Sequence, residues 1–202
     1  MRSLNKETIL EKAAEVVLSS GYTNARLEDI AKKIGVSRPN LYYYFENKNA
    51  LMLSLMDWVE EEYREKIFEP LAKSQDPMIA IPRVIDYFID TLKQAHSGSS
   101  CILGTLASGV DSQNEIFRKR IGSILDNFVE QVRRHFAMTL ERGSSSGELS
   151  SDQLARVFVA TLQGSLMVYK INKSLEYLLD YRAIVVKFLE SIIEERRTAH
   201  LV

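Results

Sequence analysis

The chain has 202 residues (23.1 kDa), is 46% hydrophobic and 26% charged, and sets 26 Lys and Arg against 27 Asp and Glu for a net charge of -1; that is enough for one large or two small domains with a packed core. Only 9 Gly and 4 Pro are present, which excludes collagen-like and low-complexity classes, and a single Cys101 with three scattered His excludes an intramolecular disulfide and structural zinc. No stretch approaches the roughly 18 uninterrupted apolar residues of a membrane span, and Met1 to Ser20 is amphipathic and of mixed charge, unlike a signal peptide, so the expectation is a cytoplasmic protein with no membrane partner, no metal and no cofactor.

Apolar spacing is helical nearly throughout, with no strand-like alternation between turn signals, and predicts an all-α fold of about nine helices. Ile9, Ala13, Val16 and Val17 predict a first helix over about 6–19, stopped by Gly21. Leu27, Ile30, Ala31 and Ile34 predict a short second helix that ends at Gly35. Ser37 is placed to cap a third helix running to about Tyr44, with Arg38 and Pro39 in its first turn, where proline is tolerated. Asn47 is expected to cap a fourth from about Lys48, with Leu51, Leu55, Trp58, Val59 and Tyr63 on its apolar face and Pro70 bending or ending it. Asp76-Pro77 predicts the start of a helix over about 78–95, followed by a Ser/Gly break and a short apolar segment at 101–110. A long helix is expected over 114–142, with Ile121, Leu125, Phe128, Val132 and Phe136 on one face. Ser150 and Gln153 read as a capping box opening a helix over about 151–173. That helix and 183–193 of the last one are apolar around most of their circumference, and Gly164 stands mid-helix where Gly costs about 1 kcal/mol against Ala. The pair is expected to form a homodimer seam; the alternative is burial of both helices within one chain.

Two short helices joined by Gly35-Val36-Ser37 have the layout of a helix-turn-helix, whose second helix enters the DNA major groove. Ala31, Ile34, Val36, Leu41 and Phe45 are expected to pack the two together, leaving Arg38, Pro39, Asn40, Tyr42, Tyr43 and Tyr44 as the remaining set. Arg pairs with guanine O6 and N7, Asn with adenine N6 and N7, and a proline ring touches a thymine methyl. Arg38 and Lys48 sit in first turns, where a cation opposes the helix dipole by about 0.3–1 kcal/mol; a phosphate or base edge would offset that. The Tyr42 hydroxyl can reach a phosphate while its ring stays packed. Through Lys48 the chain carries eight basic and six acidic residues, a net +2 that leaves -3 for the rest, a small asymmetry toward an anionic partner.

Residues 21–51, GYTNARLEDIAKKIGVSRPNLYYYFENKNAL, resemble the DNA-binding domain of the TetR family of transcriptional regulators. The match lies in Asp29-Ile30-Ala31, Gly35-Val36-Ser37, Leu41-Tyr42, Phe45 and the Lys48 that follows three residues after it. The resemblance implies base contacts by Arg38, Pro39, Asn40 and Tyr44 and phosphate contacts by Tyr42 and Lys48. Ala25 departs from the family's Thr or Ser cap of the second helix, and Asn24 is expected to cap instead. Glu28 stands where some members carry a basic side chain, so either the second helix adds little phosphate binding or Glu28 accepts from a cytosine amine. More loosely, Ser100 to Ala107 is similar to the Gly-Cys-Leu-x-Gly-Asn-Leu-Ala segment of one subgroup, with departures at Ser100 and Thr105. Gly147-Glu148-Leu149 and Leu162-Gln163-Gly164 recur there too.

The expected organisation is a three-helix DNA-binding domain over 1–48 and an effector-binding and dimerisation domain over 49–202, paired through the last two helices. The expected function is a repressor released from a palindromic double-stranded DNA operator by a small hydrophobic effector, cytoplasmic and on the nucleoid when bound. The alternative is an architectural or partner-protein-controlled DNA-binding protein without such an effector. An enzyme is disfavoured: no Gly-rich phosphate loop or nucleophile elbow is present, and His96, His135 and His200 lie far apart. The effector pocket is expected to draw on Trp58, Phe88, Leu103, Leu106, Phe117, Phe128, Gln163 and Met167, each otherwise an ordinary core residue. Cys101, close to a predicted helix N-terminus that favours a thiolate, is a candidate redox or electrophile sensor, against the ordinary alternative of a buried small hydrophobe.

Overall fold

The computed structural model describes residues 5–94, 101–109, 114–142 and 149–199. Among them run nine helices and no strand: α1 Lys6–Asn24, α2 Leu27–Ile34, α3 Arg38–Tyr44, α4 Lys48–Tyr63 continued by a π-helical turn Arg64–Phe68 and a last turn Glu69–Lys73, α5 Pro77–Gln94, α6 Ile102–Gly109, α7 Glu115–Arg142, α8 Ser151–Asn172 and α9 Glu176–Ala199. His96, His200, Ser100, Gly147 and Glu148 lie outside the described residues. The chain forms two compact units, one of residues 1–62 with 95–123 and one of residues 63–94 with 124–202.

In the first unit, Asn5 opens α1 by accepting the Thr8 N–H on its side-chain oxygen (2.8 Å). The helix buries Ile9, Leu10, Ala13, Ala14, Val16 and Val17. Its regular path breaks at Gly21, where φ is 80° and ψ is 162°, but the helix is kinked there and not stopped as expected, resuming to Asn24. Asn24 does not cap α2: its amide donates back to the Ser20 carbonyl (3.2 Å), closing α1. Arg26 takes the cap position of α2 without a side-chain hydrogen bond, and Ala25 is fully buried. Ser37 occupies the cap position of α3, also without a side-chain capping bond. Asn47 caps α4 as expected, accepting the Ala50 N–H at 2.9 Å. Arg120 on α7 binds two acids of α4, with Nε donating to Asp57 at 2.9 Å and Nη2 to Glu60 at 2.5 Å. α6 packs closely on α1: a Cβ built on Gly109 would stand 2.7 Å from the Tyr22 Cβ.

In the second unit, Tyr63, Phe68, Phe88 and Phe128 form one aromatic cluster with ring centroids 5.3–6.4 Å apart. The π-turn in α4 precedes Pro70, which has no N–H and whose ring crowds the carbonyl four residues back. Pro70 thus neither ends α4 nor stands in an uninterrupted α-helix: the Glu69 N–H reaches back five residues to the Arg64 carbonyl. Asp76 caps α5 through the Met78 N–H (3.0 Å). Ser150 and Gln153 make the expected capping box (3.2 and 2.9 Å). Arg182 on α9 grips Asp86 on α5 with two bonds of 2.5 and 3.0 Å, and the buried Tyr181 hydroxyl donates to the Phe158 carbonyl at 2.8 Å. Burial pushes the Tyr181 phenol far above its ordinary range. His135, 5% exposed, donates through Nε2 to the Leu71 carbonyl at 2.9 Å.

α8 and α9 are not wholly buried within the chain. Ala155, Phe158, Val159, Leu162 and Leu166 of α8 are core, while Val157, Met167 and Ile171 are 64%, 62% and 79% exposed, and Ile184 of α9 is 65% exposed. A Cβ on Gly164 would meet nothing within 4 Å. By length and composition α8 also passes as a membrane span, with a mean hydropathy of 1.2 over 18 residues, a property that counting uninterrupted apolar runs overlooks. The contact at Gly109 sets the first expectation: Gly109→Ala drives two Cβ atoms together and lowers stability by about 1–3 kcal/mol, more than the ~1 kcal/mol that Ala gains over Gly in an open helix, measured by urea unfolding.

Candidate nucleic-acid interface

α2 ends in a Schellman turn, in which Val36 N–H donates to Ala31 O (3.0 Å) and Gly35 N–H to Lys32 O (3.2 Å). Gly35 takes the left-handed conformation this requires (φ 80°, ψ 31°). The chain then enters α3 with Leu41 at 0% and Phe45 at 3% exposure, one helical turn apart on the inner side. Arg38, Pro39, Asn40, Tyr42 and Tyr43 are exposed, Tyr43 at 85%. Tyr44 is the half-buried tyrosine of the three, its ring edge-on to Tyr43 at 5.2 Å. Of the four residues expected to read bases, Arg38, Pro39 and Asn40 point outward and Tyr44 is half-buried, all within one seven-residue helix.

Arg38 is held in place before any DNA arrives. Its Nη1 pairs with the Glu28 carboxylate of α2 at 2.9 Å, its Nη2 donates to the Tyr42 hydroxyl at 3.0 Å, and its guanidinium carbon lies 5.3 Å from the Tyr42 ring centroid. The Tyr42 hydrogen bond and then the Glu28 charge raise the Arg38 pKa above its ordinary value. Lys48 is half-buried, and its ammonium donates to the carbonyls of Tyr22 (2.7 Å) and Thr23 (3.1 Å) at the end of α1 while standing 4.6 Å from the Tyr22 ring centroid. Burial, and then the charge of Arg26, lower its pKa. The pairing of Glu28 with Arg38 and of Lys48 with α1 is invisible to sequence reasoning, because both join different helices. The one available signal was an acid where a base is usual.

The eight candidate pocket residues fall four and four in the two units. In the first, Leu103, Leu106 and Phe117 are at most 1% exposed and Trp58 is half-buried. In the second, Phe88 and Phe128 stack within the aromatic cluster (6.3 Å, 18°), Met167 is 62% exposed, and Gln163 has a buried Nε2 without a hydrogen-bond partner. A cleft of about 350 Å³ in the second unit is lined by Lys66, Ile67, Leu71, Arg83, Val84 and Tyr87 among others, and by none of those eight. Cys101 is 6% exposed and directly precedes α6, its carbonyl accepting the Thr105 N–H at 3.0 Å.

Residues 9–55 match the family of bacterial regulatory proteins, tetR family, and residues 78–185 match the tetracyclin repressor-like C-terminal domain. The HTH-type transcriptional repressor DhaR of Mycobacterium sp. (strain GP1) is 24% identical over 187 residues, covering 91% of each chain. Among solved structures, the regulatory protein TetR from Rhodobacter sphaeroides superposes with a TM-score of 0.83 at 18% identity, covering 92% of this chain and 98% of that one. The regulator FadR from Bacillus subtilis, in complex with stearoyl-CoA, superposes with a TM-score of 0.73 at 20% identity, covering 92% and 97%. With both family segments in place and the recognition helix presenting its polar face, the chain belongs to the TetR family of bacterial transcriptional regulators, and is a DNA-binding regulator and not an enzyme.

Proposed function

We propose that this regulator is a ligand-responsive repressor that binds a palindromic operator as a homodimer. Residues 1–48 serve as the DNA-binding domain, and residues 49–202 bind the effector and dimerise. Arg38, Pro39, Asn40 and Tyr44 read bases, and Tyr42 and Lys48 hold phosphates. The observation that carries the DNA reading is the division of α3, with Leu41 and Phe45 inside and Arg38, Pro39 and Asn40 outside. Two of the three ammonium N–H groups of Lys48 are engaged on α1, which leaves one for a phosphate. The exposed Val157, Met167, Ile171 and Ile184, with open space beside Gly164, support α8 and α9 as the dimer seam, because an apolar face of this kind calls for a partner surface.

The effector is a small molecule with a substantial apolar part and a hydrogen-bond acceptor. The buried, unpartnered Gln163 Nε2 supports the acceptor, and the stearoyl-CoA complex of FadR shows that a related fold takes up an acylated ligand. The protein works in the bacterial cytoplasm, on the nucleoid when bound to DNA. Calorimetric titration separates this from control by a partner protein: an effector binds the isolated protein and weakens operator binding reciprocally.

Three substitutions test the assignments. Arg38→Ala relaxes preference at one base pair of each half-site by about 5- to 150-fold while affinity for random DNA falls much less; a randomised-operator selection that returns the parental consensus would overturn the role. Lys48→Ala weakens operator and random DNA alike, flattens the slope of log K against log salt by about one per lost contact, and costs about 1–2 kcal/mol in urea unfolding as two α1 carbonyls lose a charged donor. Gly164→Arg places a long cation in the seam and yields monomers in sedimentation, with about a hundredfold or greater loss of operator affinity as bivalency is removed.

A further inference from the structure

We infer that Glu28 is a positioning residue for DNA specificity: by holding Arg38 against Tyr42 it commits the guanidinium to base edges and withholds it from phosphates. The inference rests on the reading of Arg38 as a base contact and assigns to α2 a role in recognition that needs no contact between Glu28 and DNA. Its basis is geometric. Two side chains hold Arg38: Glu28, through its carboxylate at 2.9 Å, and Tyr42, through its hydroxyl at 3.0 Å and its ring at 5.3 Å. Glu28 comes from α2 and Tyr42 from α3. The guanidinium therefore cannot swing freely without breaking a contact to another helix.

A guanidinium has five N–H donors in a rigid plane. Two are spent here, and three remain, enough for a bidentate pair with guanine. Tyr42 keeps its own function, because a hydroxyl that accepts from Arg38 still donates its proton to a phosphate.

The pair lies half-exposed, at 56% for the Arg38 side chain and 50% for Glu28, and a surface ion pair adds little to folding. Its effect falls instead on the ligand. Duplex DNA carries one negative charge per about 1.7 Å of axis, so a carboxylate beside the recognition helix repels every sequence equally. A mobile arginine would recover that loss at the nearest phosphate of any sequence. A held arginine recovers it only where acceptors lie in its plane, which turns uniform repulsion into discrimination.

The test uses the full chain, its operator duplex recovered by selection from genomic fragments, and a random duplex of the same length, with binding followed by fluorescence anisotropy across a salt series. Glu28→Gln keeps the shape and removes the charge. It is expected to tighten random-duplex binding several-fold, steepen the salt slope by about one per subunit as Arg38 gains a phosphate, and cut the operator-to-random affinity ratio about tenfold, within the value of one good base contact. In an Arg38→Ala background the same change leaves the ratio untouched. If Glu28→Gln lowers the ratio equally with and without Arg38, Glu28 reads a base itself and the positioning role is lost. If Arg38→Ala collapses the ratio but Glu28→Gln does not move it, Arg38 reads bases unaided and only the inference about Glu28 fails. If Arg38→Ala leaves the ratio intact, the base-reading assignment and this inference fall together. Superimposable thermal melts of the variants confirm that the differences arise at the DNA surface.

Discussion

The left-handed turn at Gly35 is the constraint from which the DNA-binding face follows. Its two reverse hydrogen bonds satisfy the last carbonyls of α2, and the chain leaves it at the angle that lets Leu41 and Phe45 enter the core. A helix of seven residues is far too short to persist alone in water. Burying side chains of this size contributes about 1.5–3 kcal/mol each, so tertiary packing, and not helix propensity, sets both the existence and the rotation of α3. The outward residues are therefore a consequence of the inward ones: any rotation that moved Arg38 or Asn40 away from solvent would bring Leu41 out.

Much of this architecture was legible because it is written in local punctuation. Gly21, Gly35, Asn47, Asp76-Pro77 and the Ser150/Gln153 box each satisfy backbone groups two to five residues away, a range that sequence spacing covers. Asn24 and Ser37 show the limit of that method. A short polar side chain next to a helix end has several backbone groups in reach; Asn24 turns back to Ser20, and Ser37 occupies its cap position without a side-chain bond. Contacts between helices were not legible. Lys48 meets a carbonyl 26 residues earlier, and Glu28 meets Arg38 across a turn, where helical periodicity carries no information. The effector-contacting residues are not singled out by sequence for a different reason. Residue type separates apolar from polar, but Phe128 against other rings and a side chain against a ligand look identical in sequence.

One chemical device appears at three places with different results. Arg120 with Asp57 and Glu60, Arg182 with Asp86, and Arg38 with Glu28 each join an arginine to acids on another helix. The first two use the planar fork on two bonds across helices, which fixes orientation as well as distance, and they serve as ties within their units. The third stands on the helix that follows the Gly35 turn, where the pair is half-exposed and joins α2 to α3.

The π-turn at Arg64–Phe68 alters which residue of α4 meets the core. Two α-helical turns span 7.2 residues, so an unbroken α-helix would bring position 70 round beneath Tyr63, and Pro70 would face inward. The wider turn delays the phase by one residue, leaving Pro70 exposed and Leu71 at 2% exposure, with its carbonyl at His135. In terms of sequence change, α4 behaves as a helix that has absorbed a single-residue insertion.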